Sequence, residues 1–296
     1  MVSLLTEDLN NLTVQETTLQ FSTEELQAFV DVRKGLLLKD LKPTDFHPRE
    51  IAIVTMLSKC RVDKAIEKYI QFIQTIGEFD LDVNVLYQDL QPLREKMNAN
   101  YQVCGKDKGN RSIMWISSST PTQVSEEKIT VHSGVLYWMA VHSDLHTLRE
   151  GCTFVIDTSK QKGINKVGNE RKMQKTWQAL PLRPQNLFIV GASFLKRIFI
   201  NALISFASIF SNSKVLARIR FVEMPEVRTE VPDSSMPEEL GGDKRSAVDQ
   251  WVEKRLSLWN NFVINDSDKV NVKDGEVKDN DADTKEVTVD TDELTF

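Results

Sequence analysis

The sequence predicts an α/β protein in which a small helical lobe precedes a mostly parallel sheet flanked by helices. Three observations lead to this prediction. Apolar residues keep helical spacing through much of residues 1–100. The runs Cys152–Asp157 and Asn186–Val190 are apolar without alternation, which is typical of strands buried on both faces of a parallel sheet. Helical patterns separate these strands, and a βαβαβ order favours a parallel sheet.

Four helices are predicted in the N-terminal lobe, residues 1–100. The first begins at the capping-box pattern Ser22–Glu25. The second has Pro48 in its first turn, where proline is favoured. Asp63 is placed to cap the third helix, and a weaker pattern over residues 86–97 predicts the fourth.

Strands and helices alternate in the second predicted domain, residues 101–262. A further strand is predicted over Arg111–Ser117, after a glycine-bounded turn. The alternating run Arg218–Val222 predicts a strand nearer the edge of the sheet. The accompanying helices are predicted over residues 125–150, 169–180, 194–211 and 243–262.

The negative charge of the chain is concentrated in its tail, residues 263–296. Residues 264–296 contain eleven acidic residues and four lysines, a balance of −7, whereas the whole chain carries −6. Subtraction leaves about +1 for the rest of the chain, which lacks the clustered basic charge that nucleic-acid binding requires. The tail has few large apolar residues, so we expect it to be disordered.

Other sequence features indicate a cytoplasmic protein. The longest apolar stretch, Ile198–Phe210, covers 13 residues, whereas a membrane span needs about 20. The first residues lack the apolar core of a secretory signal. Cys60, Cys104 and Cys152 have no metal-ligand spacing, so we expect free thiols in a reducing compartment. We expect a monomer.

The segment that begins at Phe194 is apolar over much more than one helix face. Only a narrow polar seam, which includes Asn201 and Ser205, interrupts it. Such a helix is either a core helix with a thin edge in solvent, or a lid with one apolar face toward a cavity and another toward a membrane. Each large apolar side chain left in water costs about 1.5–3 kcal/mol, so a lid can open only where something else covers it.

The order of several motifs resembles the CRAL-TRIO (Sec14-like) family of lipid-binding proteins over residues 20–262. The motifs are "RVDKAIE" (61–67), "GKDKGNRSIMWIS" (105–117), "GCTFVIDTS" (151–159), "LPLRPQNLFIVGASFLKRIF" (180–199), "SNSKVLARIRFVE" (211–223) and "MPEELGG" (236–242). Residues 56–60, 179–180 and 191–193 depart from the family pattern at positions that often touch a phospholipid headgroup. The resemblance therefore leaves the ligand open among phospholipids, sterols, tocopherol, retinoids and carotenoids.

The resemblance implies a lipid pocket above the sheet, closed by a mobile gate helix. The implied gate residues are Phe194, Ile198, Phe199, Leu203, Phe206 and Phe210. The implied pocket walls are drawn from Met114, Ile116, Phe154, Ile156, Phe188 and Val190, in subsets that face opposite sides of the sheet. Basic groups at Arg183, Lys214 and Arg218 would meet anionic membrane lipids such as phosphoinositides. The expected function is binding one hydrophobic ligand and transferring it between membranes, without a cofactor.

Two other classes of function were compared with this one. The first is a non-catalytic protein-interaction module of the same fold with a reduced pocket. The second is a hydrolase, for which Ser193 and His146 are candidates without a recognisable triad or elbow motif. His142, His146 and Glu150 have a spacing able to hold a metal ion on one helix, but a solvated helix face explains it better. We expect neither catalysis nor a metal site.

Overall fold

The computed structural model describes residues 21–82, 93–103, 105–117, 127–158, 180–191, 218–242, 247–260, 262 and 264. Most of the helices predicted over 169–180 and 194–211, and nearly all of the tail, lie outside these ranges.

Helices form the N-terminal part of the structure. They are α1 (Thr23–Leu37), α2 (Pro48–Leu57), α3 (Val62–Gly77) and α4 (Arg94–Asn100), with a 3-10 turn at Pro43–Asp45. The predicted capping box is confirmed: the Glu25 amide donates to Ser22 Oγ (3.3 Å), and the Ser22 amide donates to Glu25 Oε2 (2.8 Å). Pro48 occupies the first turn as predicted. The prediction for Asp63 is wrong, because Arg61 is the N-cap and Asp63 lies inside the first turn, where its charge favours the helix dipole.

Within the described residues, the sheet has four parallel strands: β1 (Ile113–Ser117), β2 (Cys152–Asp157), β3 (Pro184–Val190) and β4 (Ile219–Val222). Their spatial order is β1-β2-β3-β4, the same as their order in the chain. β2 has the predicted bounds, and β4 lies at one edge of these four strands, as its alternating pattern predicted.

The single helix predicted over residues 125–150 is two helices, α5 (Glu127–Val141) and α6 (Leu145–Glu150). The break lies at residues 142–144. Asp144 is the N-cap of α6 and its carboxylate accepts from the Thr147 amide (3.2 Å). A side chain that satisfies a free helix amide favours a new helix start over continuation of the old helix. The remaining helices are α7 (Met224–Glu230) and α8 (Val248–Ser257).

Both faces of the sheet are buried, each in a different core. One face, the large-core face, joins α1–α6 and α8 in the main core; its strand residues are Met114, Cys152, Phe154, Ile156, Leu187 and Ile189, with Ile116 and Ile219 at the periphery. The other face, the small-core face, packs against α7 and the segment after it; its strand residues are Ile113, Trp115, Val155, Phe188, Val190 and Val222.

The "MPEELGG" segment covers the small-core face. Met236 is fully buried in that core. Glu238–Leu240 forms a 3-10 turn that Gly241 ends at φ 81°, a left-handed conformation suited to glycine. A Cβ on Gly242 would lie 2.3 Å from the Met236 carbonyl oxygen, so no side chain fits there. This motif therefore has a structural role.

The end of the described chain returns to its beginning. The Phe21 ring lies 4.9 Å from Phe29 and 5.6 Å from Phe262, measured between centroids. Arg33 Nη1 donates to the carbonyl oxygen of Ile264 (3.3 Å). Helix α8 also pairs with α4 through Arg94 and Glu253 (2.6 Å). Residues after α8 therefore complete the core of the N-terminal helices.

Candidate functional site

The candidate site is the carboxyl-terminal half of the large-core face. Side chains alternate along a strand, so every second residue of β1, β2 and β3 lies on this face. Together they form an apolar floor that comprises Met114, Ile116, Phe154, Ile156, Leu187 and Ile189. Within the floor, Ile116 is half-buried and Ile156 is 9% exposed, so burial is least complete near the carboxyl ends of β1 and β2. Open α/β sheets bind ligands at this end of their strands.

The six predicted pocket residues divide between the two faces. Four belong to the apolar floor, whereas Phe188 and Val190 belong to the small-core face. Phe188 pairs in register with Val155, and Leu187 pairs with Phe154. Leu187 and Ile189 are therefore the β3 residues that share a face with the predicted β1 and β2 residues. The sequence indicated that β3 is buried on both faces. It did not tell which β3 residues share a face with Phe154 and Ile156 of β2.

Two stacked tyrosines hold α5 against the edge of β1. The rings of Tyr101 and Tyr137 are 4.3 Å apart at 19°. The Trp115 amide donates to the Tyr137 hydroxyl (2.9 Å), which donates to the carbonyl oxygen of Gln102 (3.0 Å). Tyr101 also forms a β-bridge with Ile116 of the floor. Burial raises the pKa of the Tyr101 hydroxyl, which therefore stays neutral.

Sequence reasoning missed a buried polar group on α5. Thr130 is 6% exposed, and its Oγ1 makes no hydrogen bond. One turn further along, Ser133 donates from Oγ to the Thr130 carbonyl oxygen (3.1 Å). The signal in the sequence is a pair of small hydroxyl residues on a helix that is apolar over most of its length. An uncharged hydroxyl without a partner can bind a polar group of an otherwise hydrophobic molecule.

The amino-terminal end of the sheet carries a different polar cluster, centred on Asp107. Its Oδ1 accepts from the amides of Gly109 and Arg111 (2.9 Å each). Its Oδ2 accepts from Arg111 Nε (2.8 Å) and from Thr153 Oγ1 (2.7 Å). The carboxylate is completely buried, and its bonds hold the loop before β1 against β2. Such a saturated carboxylate has a structural role.

Asp144 forms a second buried cluster near the same end. It accepts hydrogen bonds from Lys106 Nζ, Ser112 Oγ (3.2 Å) and Thr147 Oγ1. Burial acts to raise the pKa of this carboxyl, but Lys106 and Thr147 together more than offset it, and the pKa lies below its usual value. Asp144 therefore remains ionised and fixes α6 to the start of β1.

Two of the three predicted membrane-contacting basic residues are described. Arg183 donates from Nη1 to the Arg149 carbonyl oxygen, and Arg218 donates from Nη1 to the Pro184 carbonyl oxygen (2.6 Å). Arg183 directly precedes β3 and Arg218 directly precedes β4, so both lie at the amino-terminal ends of strands. Lys214 lies outside the described residues, as do all six predicted gate residues and Ser193.

His142 and His146 lie in different environments. His142 is fully buried, with Nδ1 donating to the Trp138 carbonyl oxygen (2.7 Å) and Nε2 lying 3.8 Å from Cys152 Sγ. Burial lowers the pKa of His142 to about 4. His146 is exposed on α6, so the solvated face expected for both histidines is wrong for His142. Within the described ranges, no group of three His, Cys, Asp or Glu residues could hold a metal ion.

A family comparison identifies the domain that contains the apolar floor. Residues 96–242 match the CRAL/TRIO domain. This span includes strands β1 to β4 and the "MPEELGG" segment. The chain contains a CRAL/TRIO domain. This result confirms the resemblance inferred from the motifs. Proteins with this domain are generally non-catalytic lipid-binding proteins.

Other comparisons add little to this assignment. A solved structure titled "Crystal structure of Sfh5" aligns with 82% of this chain and 98% of its own at 11% identity, with a TM-score of 0.44. No curated protein matches the chain. Each helix within the described part of the CRAL/TRIO protein is too short or too polar to cross a bilayer.

Proposed function

We propose that this CRAL/TRIO protein binds one hydrophobic ligand over the apolar floor and transfers it between membranes, or presents it at one, in the cytoplasm. The ligand class is a phospholipid or a small isoprenoid or sterol-like lipid. The observation that carries the proposal is the continuous apolar floor across β1, β2 and β3, which lies on the same face as α5. The family assignment supports the same function.

The strand order indicates which face the predicted gate covers. In a parallel sheet whose strands follow the order of the chain, right-handed crossovers all pass over one face. The connection between β1 and β2 contains α5 and α6, which pack on the large-core face. We therefore expect the connection between β3 and β4, which contains residues 194–211, to cross the apolar floor.

The proposed mechanism is a population shift of this connecting segment. In water, the closed state buries the ligand and the apolar residues Phe194, Ile198, Phe199, Leu203, Phe206 and Phe210. At a bilayer, the acyl region covers the outer apolar side chains, so the population of the open state increases. A ligand would then exchange between the floor and the membrane without crossing water.

The basic residues would orient the protein on an anionic leaflet. Arg183 and Arg218 are held by neutral carbonyl oxygens, and these bonds do not cancel the guanidinium charge. With Lys214 they would form a positive surface beside the end of the proposed gate. Each exposed basic residue near an anionic leaflet contributes about 1 kcal/mol to binding.

Native mass spectrometry of gently purified protein tests the ligand directly. We expect one bound lipid per protein, and solvent extraction would identify it. Transfer of a labelled form of that lipid between vesicles should then depend on the protein. A protein that carries no lipid and moves none would be an interaction module with a vestigial pocket.

Filling the floor should displace the ligand. We expect Ile116→Trp to lower lipid occupancy at least tenfold, because Ile116 is half-buried at the carboxyl end of the floor. The matched control is Phe188→Trp on the small-core face, where overpacking costs about 1–3 kcal/mol but leaves occupancy per folded molecule unchanged. Native mass spectrometry measures occupancy and thermal unfolding measures stability. Equal occupancy in Ile116→Trp and the parent would place the ligand elsewhere.

A charge in the proposed gate should stop transfer. We expect Phe199→Asp to fold and to lose vesicle-to-vesicle transfer, since a carboxylate opposes entry of the helix into the acyl region. The conservative variant Phe199→Leu should keep most of the transfer rate. A labelled-lipid transfer assay makes the comparison, and unimpaired transfer by Phe199→Asp would contradict the gate.

A further inference from the structure

The end of α1 exposes two leucines. Leu38 is 84% exposed and Leu37 is 37% exposed, whereas Leu36 is completely buried. Leu41, just beyond them, packs against the main core. Within the described ranges, only Phe221 is a comparably exposed large apolar side chain. We call residues 36–42 the leucine loop.

Backbone hydrogen bonds fix the leucine loop. The amides of Lys39 and Leu41 donate to the Leu36 carbonyl oxygen (3.0 and 3.3 Å), and the Asp40 amide donates to that of Leu37 (3.1 Å). Asp40 has φ 64°, the left-handed residue that commonly ends a helix in this pattern. Because Leu36 and Leu41 are anchored in the core, the two leucines between them are held outward.

The helix that carries the loop is also held firmly. Gly35 packs so closely on α3 that a Cβ at this position would lie 2.1 Å from Ile66 Cδ1. The absence of a side chain lets the end of α1 approach α3. The exposed leucines are therefore presented from a packed helix end, and turning them inward would require α1 to leave the core.

Lysines flank the two leucines in the sequence. Lys34, Lys39 and Lys42 are all exposed, and Asp40 is the one acidic residue in the stretch 34–42, which carries a net +2. An apolar tip with a basic rim matches an anionic bilayer: the leucines enter the acyl boundary and the ammonium groups lie among the phosphates. A protein groove would accept the leucines but gives no reason for the lysine rim.

We propose that the leucine loop is a membrane-docking element that inserts Leu37 and Leu38 into an anionic leaflet. The proposal rests on the proposed function to the extent that a lipid carrier must meet a membrane. It adds a contact on the N-terminal helices, separate from the predicted gate and from Arg183 and Arg218. Two separate contacts would fix the tilt of the protein on the bilayer as well as its affinity.

Co-sedimentation of the full chain with vesicles tests the docking element. With vesicles of mixed phosphatidylserine and phosphatidylcholine, we expect Leu38→Ser to bind about tenfold more weakly, since removing one inserted leucine costs about one decade in affinity. Leu38→Trp should bind as well as the parent or better, because tryptophan favours the membrane interface. The control is Gln71→Ser at an exposed residue of α3, away from the leucine loop in sequence and outside the apolar floor, which should bind like the parent.

The charged rim has its own test. Lys39→Glu with Lys42→Glu should reduce binding to phosphatidylserine vesicles and leave the weaker binding to pure phosphatidylcholine vesicles unchanged. Salt should weaken binding of the parent more than of this double variant. Lipid occupancy by native mass spectrometry should be the same in all these proteins.

The outcomes separate the docking element from the carrier function. Parent-like vesicle binding by Leu38→Ser, or an equal loss in Gln71→Ser, would overturn the docking element while leaving lipid occupancy as evidence for the carrier. A parent protein that binds no vesicles would overturn it too, and would favour a protein partner at this surface. Loop-dependent vesicle binding by a protein without bound lipid would support docking and contradict the carrier.

Discussion

Replacing Asp107 with alanine should destabilise the protein by about 3–5 kcal/mol, because breaking a buried ion pair leaves its partners without compensation. The buried carboxylate accepts four hydrogen bonds, and two of its donors are the backbone amides of Gly109 and Arg111. Arg111, whose side chain is only 21% exposed, would lose its ion pair. Urea unfolding followed by circular dichroism measures the change.

Two variants separate charge from shape in this cluster. Asp107→Asn keeps an acceptor oxygen but removes the charge, so we expect an intermediate loss. Asp45→Ala removes another carboxylate that accepts a backbone amide, that of Lys42 (2.8 Å), at an exposed turn, and should cost about 1 kcal/mol. A loss in Asp107→Ala no larger than in Asp45→Ala would show that the cluster does not hold the sheet together.

Stability should fall as the pH drops from about 6.5 toward 4. Burial lowers the pKa of His142 from 6.5 to about 4, and burial with the nearby Arg49 lowers that of His47 to about 4 as well. Between these values the unfolded chain binds protons that the folded chain does not, so stability rises with pH across this window. At about 1.4 kcal/mol per pKa unit, full protonation of His142 opposes folding by about 3 kcal/mol.

Variants identify the histidine responsible. His142→Gln removes the titration and retains a side-chain donor for the Trp138 carbonyl oxygen, so its stability should depend less on pH between 6.5 and 4. His146→Gln alters an exposed residue and should follow the parent. Urea unfolding at several pH values gives the profile. If the free energy of unfolding of His142→Gln fell with pH as steeply as that of the parent, the buried imidazole would not be the cause of the acid destabilisation.

The sheet could be predicted from the sequence because local patterns determine it. β2 is a continuous apolar run that begins after Gly151, so its first and last residues could be predicted from the sequence. The break between α5 and α6 could not be predicted from apolar spacing. It depends on Asp144 capping α6 and on Ser143 donating from Oγ to the Met139 carbonyl oxygen (2.9 Å), which competes with continuation of the helix.

The candidate site was only partly predictable, because it depends on how separate elements face each other. Side chains alternate along every strand, but β2 and β3 are apolar on both faces. Nothing in β3 alone therefore tells whether Leu187 or Phe188 shares a face with Phe154. In the same way, the spacing of His142 and His146 indicated one helix, whereas the chain turns between them. The motif around Asp107 predicted a turn but not its four hydrogen bonds.

The return of the last helix to the first has a consequence for synthesis of the protein. Each strand pairs with its predecessor in the chain, so the sheet can extend by one strand at a time as the polypeptide leaves the ribosome. The aromatic contacts of Phe21 and Phe29 with Phe262 cannot form until nearly the whole chain has emerged. We therefore expect a fragment that ends before α8 to leave part of the apolar surface of the N-terminal helices uncovered, where chaperones and proteases can reach it.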